Sequence, residues 1–296
     1  MYNQANFFWI GNLSNYEILT LKSYISNGFD VKLWTYENKI PNINIIKDLD
    51  LKIESAEKIL EEKLIYKFSQ GSQKASPASF ANLFRLHLMI KEGGWWFDLD
   101  CVCLKNVEEF KELAENSEFV LGAEYKNYIG NSVMYFKNKS IAKKLIKEIE
   151  IEINKNNYNF YWGQIGPDLI TEYFLKNNLM HLVVEKKYFY NTEAKDFKYF
   201  LESKNSFKSF MIKKHNPSLT CHLWNEMFNK YSYNKNFMPP KNSFLDQLFI
   251  SYYPECLGDK RYGKSVMWRF LPLINYFYKL IYKIKIYRRN YEILKS

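Results

Sequence analysis

The chain has 296 residues, 47% hydrophobic and 25% charged, with eight prolines and eleven glycines, a composition that excludes a collagen-like or generically disordered polypeptide and can fill one large core or two modest ones. The net charge is +10, but residues 260–296 hold ten Lys or Arg against the single acid Glu292, so this tail carries +9 and the first 259 residues are nearly neutral. No run approaches the roughly 18 consecutive apolar residues of a membrane span, and the opening MYNQANFFWIGNLSNYE has neither the basic region nor the apolar core of a secretory signal.

Residues 7–10 read as a short strand ending at Gly11, followed by a helix from Asn12–Ser14 to about Ser26 that Asn27-Gly28 stops. Residues 29–36 alternate apolar and polar, then add Trp34 and Tyr36. Strand, helix, strand is the start of an α/β sheet. A third strand is predicted at 42–46, a helix at 54–67, and a polar loop at 69–79 able to close over a site. Residues 80–92 have helical spacing and end at Gly93-Gly94; Trp95-Trp96-Phe97-Asp98-Leu99-Asp100 then reads as a strand entering a tight turn. Strands are predicted at 118–124 and 132–136, helices at 139–153 and 167–177, and an amphipathic helix at 271–287. Residues 185–218 show no clean period.

Four cysteines (Cys101, Cys103, Cys221, Cys256) without a C-x-x-C pair imply a reduced, cytosolic protein rather than a disulfide framework or a zinc site. Asp98 and Asp100 are the sharpest feature. Two apart in a strand, both carboxylates face one way, with Cys101 and Cys103 alternating to the other face. Such a pair repels itself unless a cation intervenes, and hard Mg²⁺ or Mn²⁺ can also bridge a diphosphate. Arg85, on the preceding helix, can orient a carboxylate or bind an anion; Asn82 can hydrogen-bond a sugar hydroxyl. His87, among Leu86, Leu88 and Met89, reads as structural. Residues 162–168, WGQIGPD, form a turn whose amides can meet a sugar or an anion. His222 offers a metal or phosphate ligand beside Trp224.

At this point a family is visible. The run 79–105, SFANLFRLHLMIKEGGWWFDLDCVCLK, resembles the Asp-x-Asp region of retaining glycosyltransferases that include bacterial capsule and lipopolysaccharide enzymes, yeast initiating mannosyltransferases and mammalian α-1,4-galactosyltransferases. The order helix, arginine, Gly-Gly, aromatics, Asp-x-Asp carries the likeness, and residues 8–36 resemble the first strand, helix and second strand of the same group. Weaker echoes are 121-LGAE-124, 130-GNSVM-134, Gly166-Pro167 and 222-HLWN-225.

The resemblance implies a GT-A fold: a Rossmann-like mixed α/β sheet with flanking helices over 1–258, including acceptor-side insertions, then the basic aromatic segment 259–296 with its amphipathic helix. It implies a UDP-sugar donor and Mn²⁺ or Mg²⁺. Asp98 would meet the donor sugar or ribose, Asp100 the metal, and Arg85 both the sugar and Asp98. Trp9, Ile10 and Tyr36 would line the nucleotide pocket. His222 and Trp224 would approach the diphosphate, His222 as a second metal ligand. Many relatives carry Asp where Asn82 stands, which leaves the donor sugar open.

The expected reaction is retaining transfer to a hydroxyl of an oligosaccharide or lipid-linked glycan, such as a lipopolysaccharide or capsule chain. Its expected place is the cytoplasm, peripheral to the inner face of the membrane through the basic tail. Nucleic-acid binding is not expected from so neutral a body. A noncatalytic carbohydrate-binding protein and a metal-dependent phosphohydrolase are the alternatives; the latter is disfavoured because no Thr or Ser lies two residues after Asp100.

Overall fold

The computed structural model describes residues 2–71, 78–231 and 233–257. The basic segment 259–296, its helix at 271–287 and most of the 69–79 loop lie outside them. Two compact units divide the chain. The first comprises residues up to Glu193 with Lys214–Leu223, the second Ala194–Lys213 with the residues from Trp224 onward.

The first unit is a mixed α/β sheet flanked by helices, as expected. β1 (Gln4–Phe8), β2 (Asp30–Thr35), β3 (Leu51–Ser55), β4 (Trp95–Phe97), β6 (Phe119–Tyr125) and β7 (Tyr128–Phe136) form six strands in the order β3-β2-β1-β4-β7-β6. The first four run parallel, β7 lies antiparallel to β4, and β6 lies antiparallel to β7. β5 (Cys101–Cys103) pairs separately with β8 (Thr220–His222), antiparallel. Between strands run α1 (Asn15–Ser26), α2 (Lys63–Gly71), α3 (Ala78–Lys91), α4 (Val107–Glu115), α5 (Lys139–Asn156) and α6 (Leu169–Lys176).

Local chemistry explains the boundaries. Ser14 caps α1, its hydroxyl accepting from Tyr16 N while Glu17 reaches back to Ser14 N at 2.8 Å, a reciprocal capping box. The third strand is at Leu51–Ser55, not 42–46, which makes a 3-10 turn. Asn42 ties that turn to the loop before α1 through Leu13 N (2.9 Å) and Leu13 O (2.8 Å). β2 still has an open side, and residues 51–55 fill it, so the helix expected over 54–67 is held back to Lys63.

The Gly93-Gly94 turn is fixed from below. Asn6, fully buried in β1, donates to Gly93 O (3.1 Å) and Trp95 O (3.0 Å) and accepts from the Trp34 indole at 3.0 Å. Both glycines have positive φ, and a Cβ on Gly94 would lie 2.8 Å from Gln4 O. Only glycine lets the chain turn this tightly into β4. α3 is buried on most sides, with Phe80, Leu83, Phe84, Leu86, Leu88 and Met89 in the core. His87 is half-buried there, its pKa lowered by burial.

The second unit holds a 3-10 run, Ala194–Leu201, most of α7 (Asn205–His215), α8 (Asn225–Lys230) and α9 (Phe244–Tyr252). Phe197 meets Phe228 edge-on at 5.3 Å, Phe200 stacks with Phe244 at 6.1 Å, and Ser243 caps α9 by accepting from Asp246 N at 3.0 Å. Among the described residues no helix is long and apolar enough to cross a membrane.

Candidate active site

The parallel strands deliver the candidate residues to one edge of the sheet. Trp9 and Ile10 follow the carboxyl end of β1, Tyr36 follows β2 and Asp98 follows β4. In open α/β sheets ligands bind outside that edge, at the point where strand order reverses, and here the reversal falls between β1 and β4. Trp9 is half-buried, its indole donating to Asn12 O at 3.3 Å, and Ile10 packs against the core. Tyr36 is buried, its hydroxyl donating to Leu60 O at 2.8 Å, and with Ile40, Ile43, Ile53 and Glu54 it lines a hollow of ≈ 700 Å³.

Arg85 is a buried cation on α3 each of whose three guanidinium nitrogens has a partner. Nε donates to Ala81 O at 3.2 Å, Nη1 to Asn131 O, and Nη2 lies 3.3 Å from Asp98 Oδ1. The guanidinium sits 4.9 Å from the Trp96 ring, and the Trp96 indole donates to Asp98 Oδ1 at 2.8 Å. Burial pushes the Asp98 carboxyl above its ordinary pKa, Arg85 pulls it back, and Asp100 pushes it up again. The net direction is up, so burial outweighs Arg85, while the Arg85 guanidinium and the Trp96 indole fix where the carboxyl points.

Asp98 and Asp100 are not on one strand. Asp98 N donates to Ser132 O (2.7 Å), and Asp98 O accepts from Cys101 N (2.9 Å), closing a four-residue turn between β4 and β5. The turn sends the two carboxylates to different partners. Asp100 Oδ1 lies 3.1 Å from His222 Nε2, and Asp100 O accepts from Leu223 N at 2.8 Å. The alternation expected of a strict strand fails here for Cys101, which is not turned away from the acids. Its Sγ lies within 4.8 Å of ligand atoms of Asp100 and His222. Cys103 is buried and spends its backbone N–H on Ser23 Oγ at 2.9 Å.

Asp100 and His222 fit a divalent cation by donor chemistry. They converge a carboxylate oxygen and an imidazole nitrogen, a set that Mn²⁺ accepts readily and Mg²⁺, with its preference for oxygen, less so. Burial, then Asp100 and Asp98, raise the Cys101 pKa well above the ordinary value, which favours the thiol beside this pair. Burial alone would lower the His222 pKa, but Asp100, Asp98 and Glu124 overturn it and the net direction is up. Acids that favour a proton on this imidazole favour a metal cation there equally.

Three further residues complete the site. Asn131 donates to Asn82 Oδ1 at 2.8 Å while its carbonyl holds Arg85. Ser132 Oγ lies 3.4 Å from His222 Nε2, and Ser132 N donates to the Tyr190 hydroxyl at 3.0 Å. The Tyr190 ring meets His222 edge-on at 5.8 Å. Gly122 and Gly130 make the room: a Cβ on Gly130 would fall 2.3 Å from Tyr190 Cζ. Likewise Gly166 passes so close to Asn82 that a Cβ would lie 2.5 Å from its Nδ2. Gly130 and Gly166 were legible as isolated glycines, but nothing in the sequence pointed to Tyr190. Trp224 opens the second unit with left-handed φ +61°, as the residue before α8.

Residues 8–120 match the family described as a glycosyltransferase sugar-binding region containing a DXD motif, and Asp98-Leu99-Asp100 lies within that span. No curated protein matches the chain. Among solved structures it is similar to the apo glycosyltransferase GlyE of Streptococcus pneumoniae TIGR4, with 16% identity and TM-score 0.46 over 93% of this chain and 63% of that one. It is also similar to the PaToxG glycosyltransferase (14%, TM-score 0.44, 79% and 86% covered) and to mouse xyloside xylosyltransferase 1 in its apo form (13%, TM-score 0.40, 62% and 86% covered).

Proposed function

We propose that the chain is a metal-dependent GT-A glycosyltransferase that moves a hexosyl or N-acetylhexosaminyl group from a UDP-sugar to a hydroxyl of a glycan acceptor, with retention. The observation that carries this reading is the division of labour at the DXD turn: Asp98 is held by a buried arginine and an indole, while Asp100 converges with His222. A site for solvated acids needs neither arrangement. The match of residues 8–120 to a DXD sugar-binding region supports it.

In this reading Asp100 and His222 are the residues that would hold Mn²⁺ or Mg²⁺. The cation supplies positive charge to the leaving group. Arg85 and Asp98 orient the donor sugar, and Asn82 hydrogen-bonds one of its hydroxyls. Trp9, Ile10 and Tyr36 form the nucleotide end. The glycosidic C1–O bond to phosphate breaks as the acceptor oxygen bonds C1 on the same face. The acceptor proton passes to the departing phosphate oxygen, so no enzymic nucleophile is needed. The acceptor is an oligosaccharide or lipid-linked glycan of the lipopolysaccharide or capsule kind. The segment 259–296 holds the enzyme at an anionic cytoplasmic membrane face.

The test is UDP release from a panel of UDP-sugars, with and without Mn²⁺, in wild type and Asp100→Ala. Acceptor-dependent release that Asp100→Ala reduces by roughly 100-fold or more, with a product of retained anomeric configuration, is expected. Glycan binding with no donor turnover points instead to a carbohydrate-binding protein, and an inverted product overturns the stereochemistry alone.

A further inference from the structure

The turn that brings Gly166 against Asn82 has a second side. Gln164 and Leu169, on either side of Gly166, line a hollow of ≈ 640 Å³ between α5 and α6, together with Tyr161, Glu148, Glu152 and Lys147. The chain enters this turn through Phe160, which is buried and stacks on Phe68 at 6.2 Å. It then turns two aromatic side chains outward. Tyr161 is 51% exposed and Trp162, at 71%, is the most exposed large apolar side chain among the described residues.

These aromatics stand on a braced frame. Gly163 takes φ +93°, and its carbonyl accepts from Gly166 N (2.9 Å) and Asp168 N (3.2 Å). Tyr161 N donates to Gln164 Oε1 and Gln164 Nε2 to Glu152 Oε2, both at 3.2 Å. Asp168 Oδ1 accepts from the Tyr128 hydroxyl at 2.7 Å. The frame holds the backbone that carries the exposed indole, so little backbone freedom remains to be lost on binding.

The lining selects the occupant. A pyranose has an apolar C–H face that suits the negative face of an aromatic ring, and a rim of hydroxyls that suits carboxylate, amide and ammonium groups. The hollow offers both. An apolar peptide would find too many charges, and a nucleic acid would meet Glu148, Glu152 and Glu172 beside the lysines. We propose that the α5–α6 hollow, with Tyr161 on its wall and the exposed Trp162 next to Tyr161 on the same turn, binds an oligosaccharide: the sugars of the acceptor that precede the one receiving transfer. This rests on the glycosyltransferase reading and extends it to the acceptor. The five-residue turn stands between the hollow and Asn82, which Asn131 links in turn to Arg85.

The experiment uses the full chain on an array of immobilised oligosaccharides, with Trp162→Ala and Glu152→Gln beside wild type, and thermal melting as the folding control. Expected is retention of at least one glycan class by wild type and its weakening by about tenfold in Trp162→Ala, the scale of one lost aromatic contact. In turnover with the retained glycan as acceptor, the acceptor KM should rise by a similar factor while the UDP-sugar KM serves as the internal reference and moves less. Retention by both variants equal to wild type, or no glycan retained at all, overturns the subsite. Glycan binding lost in Trp162→Ala without any UDP-sugar consumption leaves the subsite standing and removes the transferase reading.

Discussion

Arg85 orders the site, since one planar fork reaches Ala81 O, Asn131 O and Asp98 together. Lysine keeps the charge but not the fork. Arg85→Lys should lower donor turnover by roughly 100-fold, with a smaller fall in melting temperature than Arg85→Ala; equal turnover in lysine and wild type would remove the fork argument. Tyr190 is the second test. Gly130→Ala drives a methyl into its ring, costing about 1–3 kcal/mol by overpacking, and weakens Mn²⁺ binding because His222 loses its edge contact. Tyr190→Ala in that background should cost less stability than the sum of the two single changes and leave metal affinity low, a non-additivity that urea titration and metal titration read separately. At this scale the sequence exposed Arg85, Asp98, Asp100 and His222 through residue type and order. It hid Asn131, Ser132 and Tyr190, whose roles depend on segments meeting across 46 to 90 positions, as Asn131 with Arg85, Ser132 with Tyr190 and Ser132 with His222 do.

The strand–helix–strand opening was legible because its period and its stop signals agree: Ser14 and Glu17 cap α1, and Asn27-Gly28 ends it. Ser14→Ala removes the reciprocal cap and should cost about 1 kcal/mol, seen as a lower urea midpoint at unchanged slope. Residues 42–67 were misread for a physical reason. Helical spacing at Ala56, Ile59, Leu60 and Leu64 is real, yet the unpaired edge of β2 recruits Leu51–Ser55 into the sheet. Pairing of a whole strand outweighs propensities of a few tenths of a kcal/mol per residue. The turn at Asp98 was misread similarly. Local alternation continued through Cys103, but the hydrogen bond from Cys101 N to Asp98 O and the pairing of β5 with β8 break the strand in two.

Across the whole molecule, acid sensitivity has an identifiable source. His215 is buried, and burial, with Lys214, lowers its pKa to about 3; its Nε2 lies 2.9 Å from Thr192 Oγ1. The unfolded chain binds this proton near pH 6.5 and the folded chain does not, so stability falls as pH drops from about 6.5 towards 3, with a slope approaching about 1.4 kcal/mol per pH unit. His215→Gln should flatten that slope in denaturant titrations at pH 7 and pH 5; an unchanged slope would assign the acid loss elsewhere. The charge asymmetry gives a second test: removal of 271–296 should reduce binding to vesicles containing anionic lipid, most visibly at low salt. Sequence alone determined the charge of the tail, the α/β order of the opening and the DXD run, because each is written in neighbouring residues. Tertiary structure decided which carboxylate meets Arg85 and which meets His222, where the sheet reverses and what stands beside Gly130 and Gly166. Those depend on backbone approach between distant segments, which no local pattern encodes.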